Sequence, residues 1–474
     1  MTSRNSSFNL TDLRGRFKRG LWMPGLIAAA LFFMLPVVAA LTISNLQTEA
    51  ELLKAGNDAA YVLRYFTNRM TDLIEQTGIA VMLLAIPAAI LTGLIAFNYL
   101  NNRRQVDFYH SLPRTRQSLF TTSWLYGALS FLLPYALMLG IMLAIVGLSG
   151  HFAVFDMALM GRFFSRTVLL FLACYALSVL AAMLCGHILV SLCGALTFLI
   201  YPPVLIGLSQ LLCSRYFETY YESADFIETL FRLTSPVADF MYDAGNSFDN
   251  AHPLWWIALT ALFTGLALFA CLRRPSEAAG KALAFRVTRP FIKYPLVMIA
   301  SLLFGLFFEA AGNSTAWMVF GYAAGIVFAH IFLQVIFDFD LRAAGRGWKG
   351  LGVFTCVFAL GISALWFDWI GFDSRLPDPD KLTRVGFQFN ELSSTYYESG
   401  PIRIDGNGDY ISYYSADMRE QLTFEEEELK QLGMEIAESA VTALRNQEED
   451  PLNLRGSYNG GDVIVLTFEE GGSR

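Results

Sequence analysis

Few side chains in this sequence are placed to do chemistry, and most of those lie in or beside apolar runs. Glu309 and His330 are ionisable residues within stretches otherwise free of charge. An acid at the centre of a bilayer costs at least about 2.5 kcal/mol, so each is by default a candidate for lining a transport pathway. Glu309 is also near enough to the end of its run to reach headgroups, and a neutral histidine can bond a neighbouring helix. Asp405, Asn407 and Asp409 alternate as the opening of a calcium loop does. Tyr410 then stands where that loop needs glycine, and Ala416 where it needs a bidentate glutamate, so the stretch reads as a tight turn without metal. The six cysteines, at 174, 185, 193, 213, 271 and 356, show neither CxxC nor Cys/His metal spacing and read as packing residues. The sequence holds no G-x-x-x-x-G-K-S/T phosphate loop, no H-E-x-x-H and no G-x-S-x-G. The chain is therefore expected to be no enzyme and to carry no metal or cofactor of its own.

One short segment concentrates polar chemistry between two apolar runs. Residues 101 to 120, NNRRQVDFYHSLPRTRQSLF, place Arg103, Arg104, Arg114 and Arg116 close to the flanking spans, where Lys and Arg bias sets orientation. Between the arginine pairs, Val106, Phe108, Tyr109 and Leu112 are expected to share one face of a short surface helix, with Asp107 and His110 pointing elsewhere. Pro113, after Ser111, is expected to open the next helix, because its fixed φ suits the first helical position.

The run DFYHSLPRTRQSLF resembles the cytoplasmic loop between the second and third spans of ABC-2 type transporter permeases from low-GC Gram-positive bacteria. The resemblance extends more loosely to the order of spans and loops, including a last span followed by an extracytoplasmic domain. It implies that Arg103, Arg104, Asp107, Phe108, Tyr109, His110, Ser111, Leu112, Pro113 and Arg114 form a coupling helix and its flanks, docked on a separate cytoplasmic ATPase subunit that holds ATP and Mg. It also implies a second permease protomer, identical or not, and a pathway built by both. The aromatic stretch at 214 to 243 resembles the short extracellular helices that cover the exit in that family, which makes Tyr220, Tyr221 and Phe226 possible pathway residues. The same aromatics fit an interfacial belt.

The elements that must position these residues follow from composition. Apolar residues make up 55% and charged residues 16%, with 40 Phe, against a charged share of about 25% in soluble domains. Charge-free runs of spanning length occur at 21 to 44, 77 to 99, 120 to 148, 254 to 272 and 351 to 367. The block at 167 to 214 divides at Cys185, Gly186 and His187, and that at 294 to 337 at Gly312, Asn313 and Ser314, which gives nine expected spans. With the N-terminus inside, the inner segments carry eighteen Lys and Arg, and the outer loops before the last span carry seven. Nine spans then put the C-terminus outside. In the N-terminal segment, Leu10, Leu13 and Phe17 line one face beside Arg14, Arg16, Lys18 and Arg19, a pattern suited to an anionic leaflet.

Residues 371 to 474 differ in kind, with twenty-one acids against nine bases, a net −12 where the whole chain has −7. Val385, Phe387 and Phe389 alternate in strand fashion, PIRI and YISYY flank a turn, Thr423 and Glu426 suggest a capping box, and Val463 to Phe468 reads as a strand. The expected fold is mainly α: a polytopic helical bundle with a small α+β extracytoplasmic domain at the C-terminus. Its parts are a basic amphipathic segment (1–20), a six-helix ABC-2 type transmembrane domain (21–272), three additional transmembrane helices (273–370) and the acidic domain (371–474). The expected function is that of an ABC transporter permease in a bacterial cell membrane, for export, with the lipid bilayer, an ATPase and a second protomer as partners and no nucleic acid. The alternative is a membrane sensor or regulatory protein with a ligand-binding outer domain. A secondary transporter is disfavoured by the scarcity of intramembrane charges.

Overall fold

Long apolar runs become helices wherever backbone groups must be satisfied without water, and the polar residues between them become caps. The computed structural model describes residues 10–54, 59–111, 114–217, 220, 224–245, 252–285, 287–369, 371–373, 376, 382–389, 403–404, 410–411, 423–424, 426–446 and 464–470. The helices in order are α1 (Leu10–Arg19), α2 (Trp22–Phe32), α3 (Val38–Lys54), α4 (Ala59–Ala96), α5 (Arg103–Ser111), α6 (Arg116–Leu148), α7 (Met157–Leu184), α8 (Ile188–Tyr216), α9 (Ala224–Thr234), α10 (Pro236–Gly245), α11 (Pro253–Arg273), α12 (Thr288–Gly312), α13 (Thr315–Asp338), α14 (Trp348–Trp366) and α15 (Glu427–Asn446). A π-helical segment, Phe33–Val37, contains Pro36 and joins α2 to α3, the usual adjustment around a proline inside a span.

Among the described residues nine helical spans are long and apolar enough to cross a membrane, from Trp22–Glu49 to Trp348–Trp366. The chain is a multi-pass helical membrane protein. Both expected breaks are present. Asn313 adopts the left-handed conformation at φ 46° and donates to Glu309 O at 2.8 Å, closing α12, and Ser314 caps α13 through Trp317 N. The expected starts of the second and fourth spans are too late. α4 begins at Ala59 and carries Arg64, Arg69, Asp72 and Glu75, and α7 begins at Met157, where Asp156 accepts from Ala158 N and Leu159 N at 2.9 and 3.0 Å. Charge ends an apolar run without ending a helix, because Arg and Glu are good helix formers.

Two compact units emerge, Met1–Leu208 with Ala224–Thr355, and Ser209–Ser223 with Cys356–Arg474. In the first, α7 is the innermost helix. Its Phe171 stacks on Phe131 of α6 at 4.3 Å and on Tyr175 at 5.7 Å, and Tyr175 donates to Trp124 O at 2.8 Å. α12 and α13 pair by small residues: a Cβ on Gly321 would collide with the carbonyl of Phe304, and one on Gly325 with Ser301 Cα.

In the second unit Tyr216 lies 5.8 Å from Trp366 and Phe217 4.7 Å from Phe372, ring to ring. The strands are β1 (Leu382–Phe389), β2 (Arg403–Ile404), β3 (Tyr410–Ile411), β4 (Thr423–Phe424) and β5 (Ile464–Glu470). β1 pairs antiparallel with β5, Phe389 opposite Ile464, and with β4, Gly386 opposite Thr423, while β2 pairs antiparallel with β3. The expected capping box does not form. Thr423 is in a strand rung, and α15 starts after Glu426, whose carbonyl accepts from Leu429 and Lys430 N at 3.1 Å. Asp405, Asn407, Asp409 and Ala416 lie outside the described residues.

Candidate functional site

Asn102 fixes the start of α5, because its side-chain oxygen accepts from Arg104 N at 3.0 Å, and Ser111 Oγ closes it on Phe108 O at 2.8 Å. Val106 is 3% exposed and Tyr109 is half-buried, with its ring 4.7 Å from that of Tyr99. Tyr99 belongs to the 3-10 turn Asn98–Asn101 that links α4 to α5. Arg104, Asp107 and Phe108 are exposed, Phe108 by 59%. The expected shared stripe is thus corrected: Phe108, two residues from Val106, turns to the opposite side, as i and i+2 do on any helix. The side chain of His110, and Leu112 with Pro113, lie outside the described residues. The next helix starts at Arg116, with Thr115 as its cap accepting from Ser118 N at 3.2 Å, so Pro113 is not its first residue.

α5 is held by α1, which the amphipathic pattern alone did not disclose. Arg16 is buried between two rings, its guanidinium 5.6 Å from the Tyr99 centroid and 5.4 Å from that of Tyr109. Such a desolvated cation–π contact contributes on the order of 2 kcal/mol. Burial raises the Tyr99 phenol above its ordinary pKa and keeps it neutral beside the cation. Asp12 joins α1 to the far end of the loop, 2.6 Å from Arg114 and 3.7 Å from Arg16. Leu13 and Phe17 pack on the protein core, Phe17 edge-on to Tyr126 at 5.1 Å, so this stripe faces protein where the sequence pattern suited a leaflet. The available signal was the i,i+4 pair Asp12 and Arg16, which marks a helix face but not its partner. Arg103 Nε donates to Ala279 O at 3.2 Å, and Arg116 Nη1 to Leu272 O and Arg274 O at 3.1 and 2.8 Å.

The other expected residues do not converge. His330 is fully buried, its Nε2 3.2 Å from Arg346 O and 3.5 Å from Lys293 Nζ, and its ring 5.6 Å from Trp348. Lys293 donates to Gln334 Oε1 at 2.6 Å, Gln334 donates to Asp338 at 3.0 Å, and Asp338 pairs with Arg289 at 3.0 Å. Glu309 is half-buried on the same α12 as Lys293, about 24 Å further along the axis at 1.5 Å per residue. His330 and Glu309 therefore occupy opposite ends of the α12–α13 hairpin and share no site. Tyr220 donates to the side chain of Gln210, Phe226 is exposed on α9, and Tyr221 lies outside the described residues.

A second polar cluster joins α9 and α10 to the start of α11. The fully buried Asp239 accepts from Arg232 Nε at 3.1 Å and Trp256 Nε1 at 2.8 Å, and its Oδ1 lies 3.3 Å from His252 Nδ1. Arg232 reaches Glu228 as well and covers the Tyr242 ring at 5.0 Å. Its members are satisfied within the cluster, which fits a structural anchor. No known protein family, curated protein or solved structure matches this chain.

Proposed function

We propose that this multi-pass membrane protein is the permease subunit of an ABC-2 type exporter in a bacterial cell membrane, driven by a separate ATPase that docks on α5. The observation that carries the reading is the two-sidedness of α5. Arg103, Val106 and Tyr109 tie one side to the bundle and to α1, while Arg104, Asp107 and Phe108 are exposed on the other. A short helix fastened in this way moves as one body with the bundle. An exposed aromatic between two opposite charges offers a partner an anchor with a polar rim. With no phosphate loop in the sequence, ATP and Mg belong to the partner. In this reading the N-terminus and α5 are cytoplasmic, residues 371 to 474 form an outer α+β domain, and a second protomer completes the pathway.

The test is purification from the native host. A nucleotide-hydrolysing subunit is expected to co-purify with the natural chain and to be lost from Asp107→Arg and Phe108→Ala, with membrane insertion unchanged. Both side chains are exposed, so neither substitution opens a cavity. An ATPase retained by both variants, or none with the natural chain, would overturn the proposal.

A further inference from the structure

The connector between α11 and α12 makes no use of its charge in the docking reading, yet it is tied at both ends. Toward α5, Ala279 O accepts from Arg103 Nε at 3.2 Å. Toward the α7–α8 turn, Gly280 N donates to Gly186 O at 2.8 Å, Gly186 N to Ala282 O at 3.1 Å, and Ala284 N to Leu184 O at 2.8 Å. These three bonds, with the Cys185 to Leu283 bridge, splice the turn and the connector into a short antiparallel ladder. Gly186 is held so close that a Cβ there would run into the carbonyl oxygens of Ala278 and Lys281, and Gly280 has φ +81°, which favours glycine. Burial pushes the Cys185 thiol up to about 12, so it serves as packing beside Val190, Ala282 and Leu283.

Arg274 closes the triangle. It is 5% exposed, and its guanidinium donates to Ala182 O and Met183 O at 2.6 and 2.8 Å and to Leu100 O at 3.2 Å. Those acceptors are last-turn carbonyls of α7 and a carbonyl of the 3-10 turn that leads into α5. One planar, permanently charged fork therefore bonds the innermost helix and the base of the docking helix together. Arg116, at the start of α6, in turn accepts the role of capping α11 through Leu272 O and Arg274 O.

We infer that residues 274–284 form a transmission strap that carries displacement of α5 to the α7–α8 turn, with Arg103 and Arg274 as its positioning residues. A strap of backbone bonds without slack passes displacement on, whereas a solvated loop absorbs it. The consequence for transport rests on the docking proposal, but the mechanical link does not. Two measurements separate them. In hydrogen exchange on the purified chain, Arg103→Ala should speed exchange of the Gly186, Gly280 and Ala284 amides by roughly fivefold or more, the scale set by losing one hydrogen bond. Arg103→Lys should restore it, since lysine still donates to Ala279 O, and Gln105→Ala, an exposed neighbour on α5, should leave it unchanged. Faster exchange confined to α5, or none, overturns the strap. Gly186→Ala should speed exchange at the same amides by acting from the other end, and unchanged exchange there also overturns it. In the complex, Arg103→Ala should keep the ATPase bound yet alter its hydrolysis rate relative to the natural chain, whereas unaltered hydrolysis removes the strap from coupling. Absence of any ATPase on the natural chain defeats the docking proposal alone.

Discussion

At the scale of single residues, partners decide what a charge does. Asp239 and Arg232 are close to fully buried and satisfied by each other, so removing one charge strands the other. Asp239→Asn should lower stability by about 3 to 5 kcal/mol. Glu228→Gln, whose carboxylate is about a third exposed beside the same arginine, should cost under about 1 kcal/mol. Thermal melts of the two variants in one detergent check this, and equal melting shifts would contradict the anchor. Neither this cluster nor the Arg16 cage was legible in the sequence, because one needs α9 and α10 folded onto the start of α11, the other joins Arg16 to rings far along the chain, and the residue types in both also suit a wet surface. The 101–120 loop was legible, since its charges are confined between apolar runs. The facing of Phe108 was not, because three apolar residues on a nine-residue helix fit more than one stripe.

At the scale of elements, the nine spans and both internal breaks could be read from charge-free length and from Gly, Asn and Ser punctuation. The starts of α4 and α7 could not, since helix formers continue where apolarity stops. The closeness of α12 to α13 is set by Gly321 and Gly325 against Ser301 and Phe304. Gly321→Val should force the pair apart and cost about 1 to 3 kcal/mol, as overpacking does. Gly361→Val on α14, where a Cβ has open space, should cost less. Thermal inactivation of the two variants separates these outcomes, with equal loss counting against the close pairing. The Lys293, Gln334 and His330 cluster sits at the far end of this hairpin and should respond little to either change.

At the scale of the whole molecule, orientation is the property on which the docking proposal depends. In a background with the six native cysteines replaced, a cysteine at Ser415 should react with a membrane-impermeant maleimide in intact cells. One at Ser111 should react only after lysis. The reverse pattern would turn α5 away from any cytoplasmic ATPase. This expectation rests on the charge difference between inner and outer loops. A strand at 463–468 could be read from its apolar run, while the register of β5 on β1, Phe389 opposite Ile464, needed the fold.

The overlong α4, braced by α3, has a consequence of its own. α4 has 38 residues, about 57 Å at 1.5 Å per residue, against a hydrocarbon layer of about 30 Å. Near its start, Tyr65 donates to Glu49 of α3 and accepts from Arg69 at 3.1 Å, which braces the two helices into one rod. Standing upright, that rod ends roughly 20 Å beyond the lipid headgroups. In the proposed orientation it would act as a fender: an approaching polymer, antibody or neighbouring protein would meet its tip before the lipid on that face.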